Sequence, residues 1–384
     1  MEILVIGKPA MNVYMPLQEY PQEGDVFTIT GKTESLGGVG AVSACLLAKW
    51  GIKPHFQGIL GNDAYGEKIR NVLSEYKVET RHLETNFENG TAINYIILNL
   101  KSGNTTKIRY NDPNVEVTKF KYDFQPDWAL LDGADTAGAM ALLNNNSSVP
   151  TIFYARVADQ NTQTLAKRCK YIICTQVYVE GLTKTKVDAE ASTEDLVNLY
   201  QKLVDSAGSN NYIVLLNNKK ILYSEENKVK MLPEMKINHA DVSSFDSVFY
   251  GAFSYAMINS LSLDEAVKFA NTAAGISISK IGEEPAIPTL DEALDNSGLR
   301  DRFKIDTTQI AQVGPSADGT TETPAETSAE EPVEQQPTVD AFAQAPEATP
   351  VEMPQAAAEQ PVETPAPKAE EVQPPPHEET NIFG

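Results

Sequence analysis

The chain has 384 residues, with 31 Lys and Arg against 53 Asp and Glu, giving a formal net charge of −22. An acidic chain without a basic run is not expected to bind nucleic acid, because phosphate contacts need clustered Lys or Arg. Its three cysteines show no CxxC or Cys/His spacing, so we expect reduced thiols and no metal site.

The acidic residues and prolines are concentrated near the C-terminal end. Residues 315–384 hold 13 of the 23 prolines, 15 acidic residues and one basic residue, Lys368, so this segment carries −14 of the net charge. A Pro/Glu/Ala/Thr/Gln mixture buries too little apolar surface to offset the chain entropy lost on folding. We expect one large domain over residues 1–305 and a disordered acidic tail over residues 312–384.

Short apolar runs recur along the chain and predict strands. No run approaches the 18 apolar residues of a membrane span, and Ile3–Ile6 is a short strand rather than the apolar core of a signal peptide, so we expect a cytoplasmic protein. A turn-forming sequence, 101–104, predicts a hairpin between Thr91–Leu98 and Thr105–Tyr110. The other predicted strands are Ile3–Ile6, Pro54–Gly61, Trp128–Leu131, Thr151–Tyr154, Tyr171–Cys174 and Tyr212–Leu216.

Segments in which apolar residues have helical spacing separate several of these runs, and such segments make up most of the last third of the folded part. Strands that alternate with helices indicate an α/β protein with a parallel sheet covered on both faces. The predicted helices follow Gly37–Gly40 and span Asp63–Tyr76, Thr193–Ala207, Ser247–Ser260, Leu263–Ile281 and Leu290–Leu294.

Four segments resemble the signatures of the ribokinase/PfkB carbohydrate kinase family. They are Gly37–Gly51, similar to G-G-x-x-x-N-x-A-x-x-L-A-x-L-G; Gly58–Gly66, matching G-x-x-G-x-D-x-x-G; Asp241–Phe253, similar to D-T-x-G-A-G-D-x-F-x-G-A-F; and Ala270–Thr289, similar to A-N-x-A-A…P-T. In register, they cover about residues 2–300.

The resemblance implies a ribokinase-like three-layer α/β/α sandwich with a small β-lid, built here from about Asn12–Thr33 and Thr91–Tyr110. It also implies transfer of the γ-phosphate of Mg-ATP to a hydroxymethyl group of a sugar or nucleoside. In the family, an Asp acts as base and a Gly-Ala-Gly turn at a helix N-terminus holds the phosphate.

The third signature departs from the family at its chemical positions. Ser244, Phe245 and Asp246 replace Gly-Ala-Gly, and side chains there would obstruct and, for the carboxylate, repel phosphate. Without gaps, the family base falls on Ser247, whose hydroxyl is not ionised near neutral pH. Asp246 is an alternative base shifted by one position, or a helix cap. Asp241 matches the first Asp of the signature, or is a loop or cap residue.

The substrate side departs in the same way. The sugar-binding Asp of the family falls on Asn12, which keeps hydrogen bonding without the charge. The Asn of the first signature falls on Val42, which cannot hydrogen-bond, while Gly37 and Gly38 remain. On the nucleotide side, Thr175–Tyr178 replaces the N-x-x-E segment that organises Mg.

The nucleotide loop of the family falls near Leu216–Lys220 and contains no glycine. Lys219 there would either meet phosphate or stay solvated. Asn271 lies on the adenine side of the family pocket, where weak nucleotide contact is expected.

These substitutions predict a carbohydrate-kinase-like protein that is catalytically impaired and acts in binding or scaffolding, with no certain cofactor. The alternatives are an active sugar or nucleoside kinase using Mg and ATP, and a ligand sensor that signals through lid closure. The tail offers a possible site for a protein partner, and its other interpretation is a solubilising extension. The apolar alternation of Thr91–Leu98 permits a homodimer through the lid.

Overall fold

A nine-stranded sheet forms the centre of the structure, a computed structural model that describes residues 1–29, 31–110, 115, 117, 119–120, 122–209, 211–233 and 239–303. The predicted tail, 312–384, and the domain boundary at 305 lie outside these residues. In chain order the strands are β1 (Ile3–Ile6), β2 (Ala10–Leu17), β3 (Thr33–Gly37), β4 (Pro54–Gly61), β5 (Leu83–Asn86), β6 (Ile93–Asn99), β7 (Thr105–Tyr110), β8 (Trp128–Leu131), β9 (Thr151–Ala155), β10 (Tyr171–Thr175), β11 (Tyr212–Leu215), β12 (Ile221–Glu225) and β13 (Lys228–Leu232).

Helices cover both faces of this sheet. They are α1 (Val39–Lys49), α2 (Ala64–Glu75), α3 (Thr136–Asn145), α4 (Gln160–Ala166), α5 (Gln176–Thr183), α6 (Thr193–Ala207), α7 (Phe245–Ile258), α8 (Leu263–Ser277) and α9 (Leu290–Ser297). The first apolar cluster joins one face to α1, α2, α7, α8 and α9, and the second joins the opposite face to α3–α6. This is the three-layer sandwich expected from the sequence.

The order of the main sheet is β13-β12-β11-β10-β9-β8-β1-β4-β5, parallel except for β12 and β13. β1 is central and buried on both sides: Ile3 and Val5 enter one apolar cluster, and Leu4 and Ile6 enter the other. Alternating side chains of a central strand therefore explain its continuous apolar run.

The smaller sheet, which we call the lid, has the order β3-β2-β6-β7. Its β6–β7 hairpin lies within the predicted segment, but β2 begins at Ala10 and β3 begins at Thr33, where the predicted segment ended. The lid is thus built from slightly different residues than expected.

Several helix boundaries also differ from the prediction. Helix α7 begins at Phe245 rather than Ser247, and α8 ends at Ser277 rather than Ile281. In the loop after α8 the chain turns through Gly282 at φ 100°, a left-handed conformation that favours glycine. Among the helices of the described ranges, none is long and apolar enough to cross a bilayer.

Candidate functional site

The candidate site lies at the carboxyl ends of the parallel strands, between the lid and the N-terminus of α7. Ligands of open α/β sheets bind at this edge. The lid reaches the turn before α7 through Tyr14, whose hydroxyl lies 2.9 Å from Ser243 Oγ. Helix α1 reaches α7 through Ser43, whose hydroxyl donates to the Ser247 carbonyl at 2.9 Å. Lid, α1 and α7 thus meet at this edge of the sheet, and we call the region where they meet the cleft.

Asp241 is a fully buried residue that closes the turn before α7. Its Oδ1 accepts from the Ser243 N–H at 2.8 Å, and its Oδ2 accepts from the Gly282 N–H at 2.9 Å and the Ser243 hydroxyl at 2.8 Å. Burial raises the pKa of Asp241, and these hydrogen bonds oppose the rise. Of the two interpretations left open by the sequence, this geometry is that of a cap.

Ser247, at the position of the family base, is buried and contacts a carboxylate. Its hydroxyl donates to Glu283 Oε2 at 3.2 Å. The other oxygen of Glu283 forms an ion pair with Lys107 on lid strand β7. The cleft therefore contains a carboxylate next to the base position, but it comes from the loop after α8 and is paired with the lid.

Sequence reasoning missed both Glu283 and Lys107. They are 176 residues apart, so no local pattern connects them. One signal was available: Gly282-Glu283-Glu284 lies within the fourth family segment, between its A-N-x-A-A and P-T parts, and Glu283 and Glu284 are both buried. Buried carboxylates are rare unless they are paired or hydrogen-bonded.

Phe245 occupies space beside the loop aligned with the nucleotide loop of the family. Its ring is 1% exposed, stacks on Phe249 with centroids 6.2 Å apart, and lies 4.8 Å from Lys219 Nζ. The N–H of Phe245 bonds to the Val242 carbonyl. Ser244 Oγ lies 2.9 Å from Ser277 Oγ. Side chains fill this turn, and one of its N–H groups already has a backbone acceptor.

Asp246 faces a different neighbour from Ser247. The Tyr154 hydroxyl at the end of β9 donates to Asp246 Oδ2 at 2.6 Å. Burial, followed by the negative charge of Asp246, raises the pKa of Tyr154 well above its ordinary value. Since adjacent helical residues are rotated by about 100°, Asp246 and Ser247 contact different neighbours.

The substrate-side residues keep the family backbone shape with altered polarity. Asn12 is fully buried, and its Oδ1 accepts from Asn94 Nδ2 at 2.7 Å. A Cβ on Gly37 would lie 2.1 Å from Asn12 Oδ1, so the glycine makes room for this amide. Gly38 precedes α1 at φ 96°. Val42 lies in the first apolar cluster.

On the nucleotide side, Asn271 is 8% exposed, and its Oδ1 has no hydrogen-bond partner among the residues that the structure describes. The polar atoms aligned with the Mg-organising segment serve local structure instead. Thr175 Oγ1 donates to the Arg156 carbonyl at 2.9 Å, and Gln176 Oε1 accepts from the Asn217 N–H at 3.2 Å. These residues do not supply the carboxylate that Mg prefers. Within the described ranges, no group of three or more His, Cys, Asp or Glu forms a metal site.

A parallel sheet between helix layers, with a small lid over its strand ends and a helix N-terminus beneath the lid, defines the class of sugar and nucleoside kinases. Residues 2–290 match the pfkB family carbohydrate kinase profile. The chain belongs to this family, as its four signatures predicted.

Relatives and solved structures agree with this assignment. The chain is 24% identical over 305 residues to ribokinase of Haemophilus influenzae, an alignment that covers 76% of this chain and 97% of the relative. It is 24% identical over 307 residues to ribokinase of Bacillus subtilis, with the same coverage.

Similar solved structures include ribokinase of Thermotoga maritima, with a TM-score of 0.63, 23% identity, and 76% of this chain and 98% of that chain covered. Ribokinase of Arabidopsis thaliana, complexed with ribose and ATP, gives a TM-score of 0.62 at 21% identity, with 77% and 98% covered. These likenesses confirm the ribokinase-like fold.

Proposed function

We propose that this pfkB family protein binds a carbohydrate-like ligand in the cleft beneath its lid, and that it transfers phosphate slowly or not at all. The observation that carries the proposal is Ser247, a serine at the base position whose hydroxyl donates to a carboxylate already paired with Lys107. Loss of a general base costs roughly 10²–10⁴ in rate.

The turn that would hold the phosphate supports the same proposal. Loss of an anion-hole donor costs on the order of 10²–10³, and such losses do not add simply. Here Phe245 fills the turn and its N–H is bonded to Val242. By contrast, a buried amide remains under the lid at Asn12, with Gly37 leaving room for it, which favours binding over chemistry.

A second candidate function is an active sugar or nucleoside kinase with a relocated base. The observation that favours it is the Glu283 carboxylate, 3.2 Å from the Ser247 hydroxyl. Asp246 is another carboxylate in reach of the turn. Both are engaged, Glu283 by Lys107 and Asp246 by Tyr154, so either one would have to exchange a partner to accept a substrate proton.

Two interactions beyond the cleft remain proposals. A protein partner would bind the tail, 312–384, and a homodimer would form through the lid, where Tyr95, Ile108 and Tyr110 are exposed. Pull-down with and without the tail tests the first interaction. Sedimentation of Ile108→Lys against the unaltered chain tests the second.

The experiment for the proposed function is ADP release from Mg-ATP with a panel of sugars and nucleosides. We expect no substrate-dependent release above that of a protein-free sample. Asp246→Asn and Glu283→Gln identify a base if release occurs, and Glu67→Gln, an exposed change on α2, is the matched control. Sustained sugar-dependent release that disappears in Asp246→Asn or Glu283→Gln, but not in the control, would establish the second candidate instead.

A further inference from the structure

The lid contacts the turn before α7 at the tip of its β6–β7 hairpin. There the Val242 N–H donates to the Gly103 carbonyl at 3.0 Å. A Cβ on Gly103 would lie 2.5 Å from the His239 carbonyl oxygen, and Gly103 has a φ of 67°. Glycine allows both the close approach and the left-handed backbone. The hairpin tip is therefore shaped to fit against residues 239–242.

A second contact lies one residue further along the same turn. Tyr14 of lid strand β2 is 1% exposed, and its hydroxyl lies 2.9 Å from Ser243 Oγ. Because Ser243 gives its single hydroxyl proton to Asp241 at 2.8 Å, the Tyr14 hydroxyl is the donor in this pair. Burial, followed by the negative charges of Glu283 and Asp241, raises the pKa of Tyr14 well above its ordinary value. The hydroxyl therefore keeps the proton that it donates.

The third contact joins the lid to the loop after α8. Lys107 of β7 forms an ion pair with Glu283, whose side chain is 3% exposed. Removing the cation from a buried carboxylate is unfavourable, so this ion pair resists separation of the lid from the loop. The three contacts thus start from β2, from the hairpin tip and from β7, and they reach two separate segments of the domain.

Asp241 connects the two segments that receive these contacts. Its Oδ2 accepts from the Ser243 hydroxyl in the turn before α7 at 2.8 Å and from the Gly282 N–H in the loop after α8 at 2.9 Å. Ser243 is the residue that binds Tyr14, and Gly282 directly precedes the carboxylate that is paired with the lid. One fully buried side chain therefore holds both receiving segments in a fixed relation.

We propose that the three contacts form a latch, which holds the lid shut over the cleft and lets it open only when all three break together. The latch consists of the contacts of Gly103 with Val242, Tyr14 with Ser243, and Lys107 with Glu283. Each contact joins two groups of the chain itself, so none requires a ligand as a bridge. Release of the latch then limits access to the cleft. The latch lies outside the proposed function, because it acts before any sugar or nucleotide binds.

Hydrogen exchange of the Val242 amide, resolved by NMR in the full chain without added ligand, tests the latch, because this proton is bonded to the lid. Lys107→Met and Tyr14→Phe remove contacts that do not involve Val242. Each should nevertheless speed exchange of the Val242 amide about three- to tenfold. Lys101→Met, which removes the exposed ion pair with Glu19 on the same hairpin, is the matched control and should leave the exchange rate unchanged.

Gly103→Ala tests the fit of the hairpin tip. The added methyl group would meet the His239 carbonyl, so we expect exchange of the Val242 amide to become about tenfold faster. Gly24→Ala is the matched control, since Gly24 also has a positive φ, 92°, but no atom lies within 4 Å of a Cβ there. This control introduces backbone strain between β2 and β3 without a clash, and it should leave the exchange of Val242 unchanged.

Three results would overturn the latch. The first is a Val242 amide that exchanges in the unaltered chain as fast as in an unstructured peptide, since the lid would then not be held. The second is an exchange rate that neither Lys107→Met nor Tyr14→Phe changes, which would mean that the contacts open independently. The third is equal acceleration at Val242 and at the amides of β1, because the lid would then separate only when the whole domain unfolds.

Discussion

Two turns at the same edge of the sheet carry family signatures. The first, Gly58–Gly66, matches its signature, whereas the second, Asp241–Ser247, departs from its signature at the glycines and the base. In the first, Asp63 accepts from the Gly66 N–H at 2.8 Å, the Thr91 N–H at 2.7 Å and the Thr91 hydroxyl at 2.7 Å. Burial would raise the pKa of Asp63, but these hydrogen bonds lower it overall. The second turn also has a capping Asp, but residues with side chains stand where the family signature has glycines.

The two turns differ in whether there is room for a side chain at the glycine positions of the signature. A Cβ on Gly66 would lie 2.2 Å from the Gly61 carbonyl oxygen, so a side chain cannot enter the first turn. In the second turn, Phe245 packs on Phe249 and Ser247 bonds to Glu283, so the fold has room and partners for side chains there. The scaffold part of a kinase signature and its chemical part can therefore diverge separately.

The largest effect should come from filling the first turn. Gly66→Ala is expected to lower the free energy of unfolding by roughly 3 kcal/mol, because a backbone oxygen cannot move aside cheaply. Urea unfolding measures the loss. Gly31→Ala is the matched control, since no atom lies within 4 Å of a Cβ there. Equal stability of the two variants would remove the steric basis of the comparison.

The next largest effect on stability is expected at Asp132, a buried carboxylate just after β8 that joins neighbouring segments by hydrogen bonds. Its oxygens accept from the N–H groups of Lys8 at 3.1 Å, Gly40 at 3.3 Å and Ala134 at 2.8 Å. Burial raises the pKa of Asp132 from 3.8 to about 6, against these hydrogen bonds.

Between about pH 4 and 6, folded Asp132 keeps a proton that the unfolded chain has lost, so its contribution to stability falls as pH rises. From pH 4 to 7 the loss should be roughly 2 kcal/mol. Asp132→Asn should lack this component of the pH dependence, which urea unfolding at several pH values detects. A carboxyl NMR titration with a midpoint near 4 for this residue would contradict the expectation.

Breaking the ion pair between the lid and the loop after α8, beside the second turn, should have a smaller effect. Glu283→Gln leaves Lys107 without its charge partner and is expected to cost about 1–2 kcal/mol, less than for a fully buried pair because Lys107 is partly exposed. A double-mutant cycle with Lys107→Met measures the coupling. The exposed lid pair of Lys101 and Glu19 is the control and should show no measurable coupling.

Lys219 should have the smallest effect. Its contact with the Phe245 ring is a cation–π interaction, so Lys219→Gln should cost about 0.5 kcal/mol of stability and leave any affinity for Mg-ATP unchanged. Lys220→Gln serves as the control for the loss of one positive charge in the loop. Weaker Mg-ATP binding in Lys219→Gln alone would assign Lys219 to phosphate and reopen the nucleotide side of the site.

The spacing of apolar residues was sufficient to predict the core of the fold. Each buried strand, such as Ile3–Ile6, and each helix, such as Thr193–Ala207, contains its apolar pattern within its own residues. The β12–β13 hairpin was missed because its turn residues, Glu226 and Asn227, adopt φ of 50° and 62° without the usual Asn-Gly pair. Its second strand, β13, also lies at the edge of the sheet, where the apolar pattern is weaker.

The candidate site was predicted only in part. A gapless register identified Ser247 as the base position, but its partner depends on a loop and a lid strand that only folding brings together. The same limit applies to Asp246 and Tyr154, which lie on separate elements. Family signatures locate positions, whereas the contacts between their side chains require the tertiary structure.

The central claim, that the cleft binds without efficient phosphoryl transfer, is tested most directly by a single turnover. Protein in excess over γ-labelled Mg-ATP is incubated with ribose, ribonate or ribose 5-phosphate, and label on the polyol is followed over time. The account predicts that label leaves ATP no faster than it does in a protein-free sample. Rapid transfer of label to any of the three polyols, at a rate comparable with that of a ribokinase assayed in parallel, would contradict it.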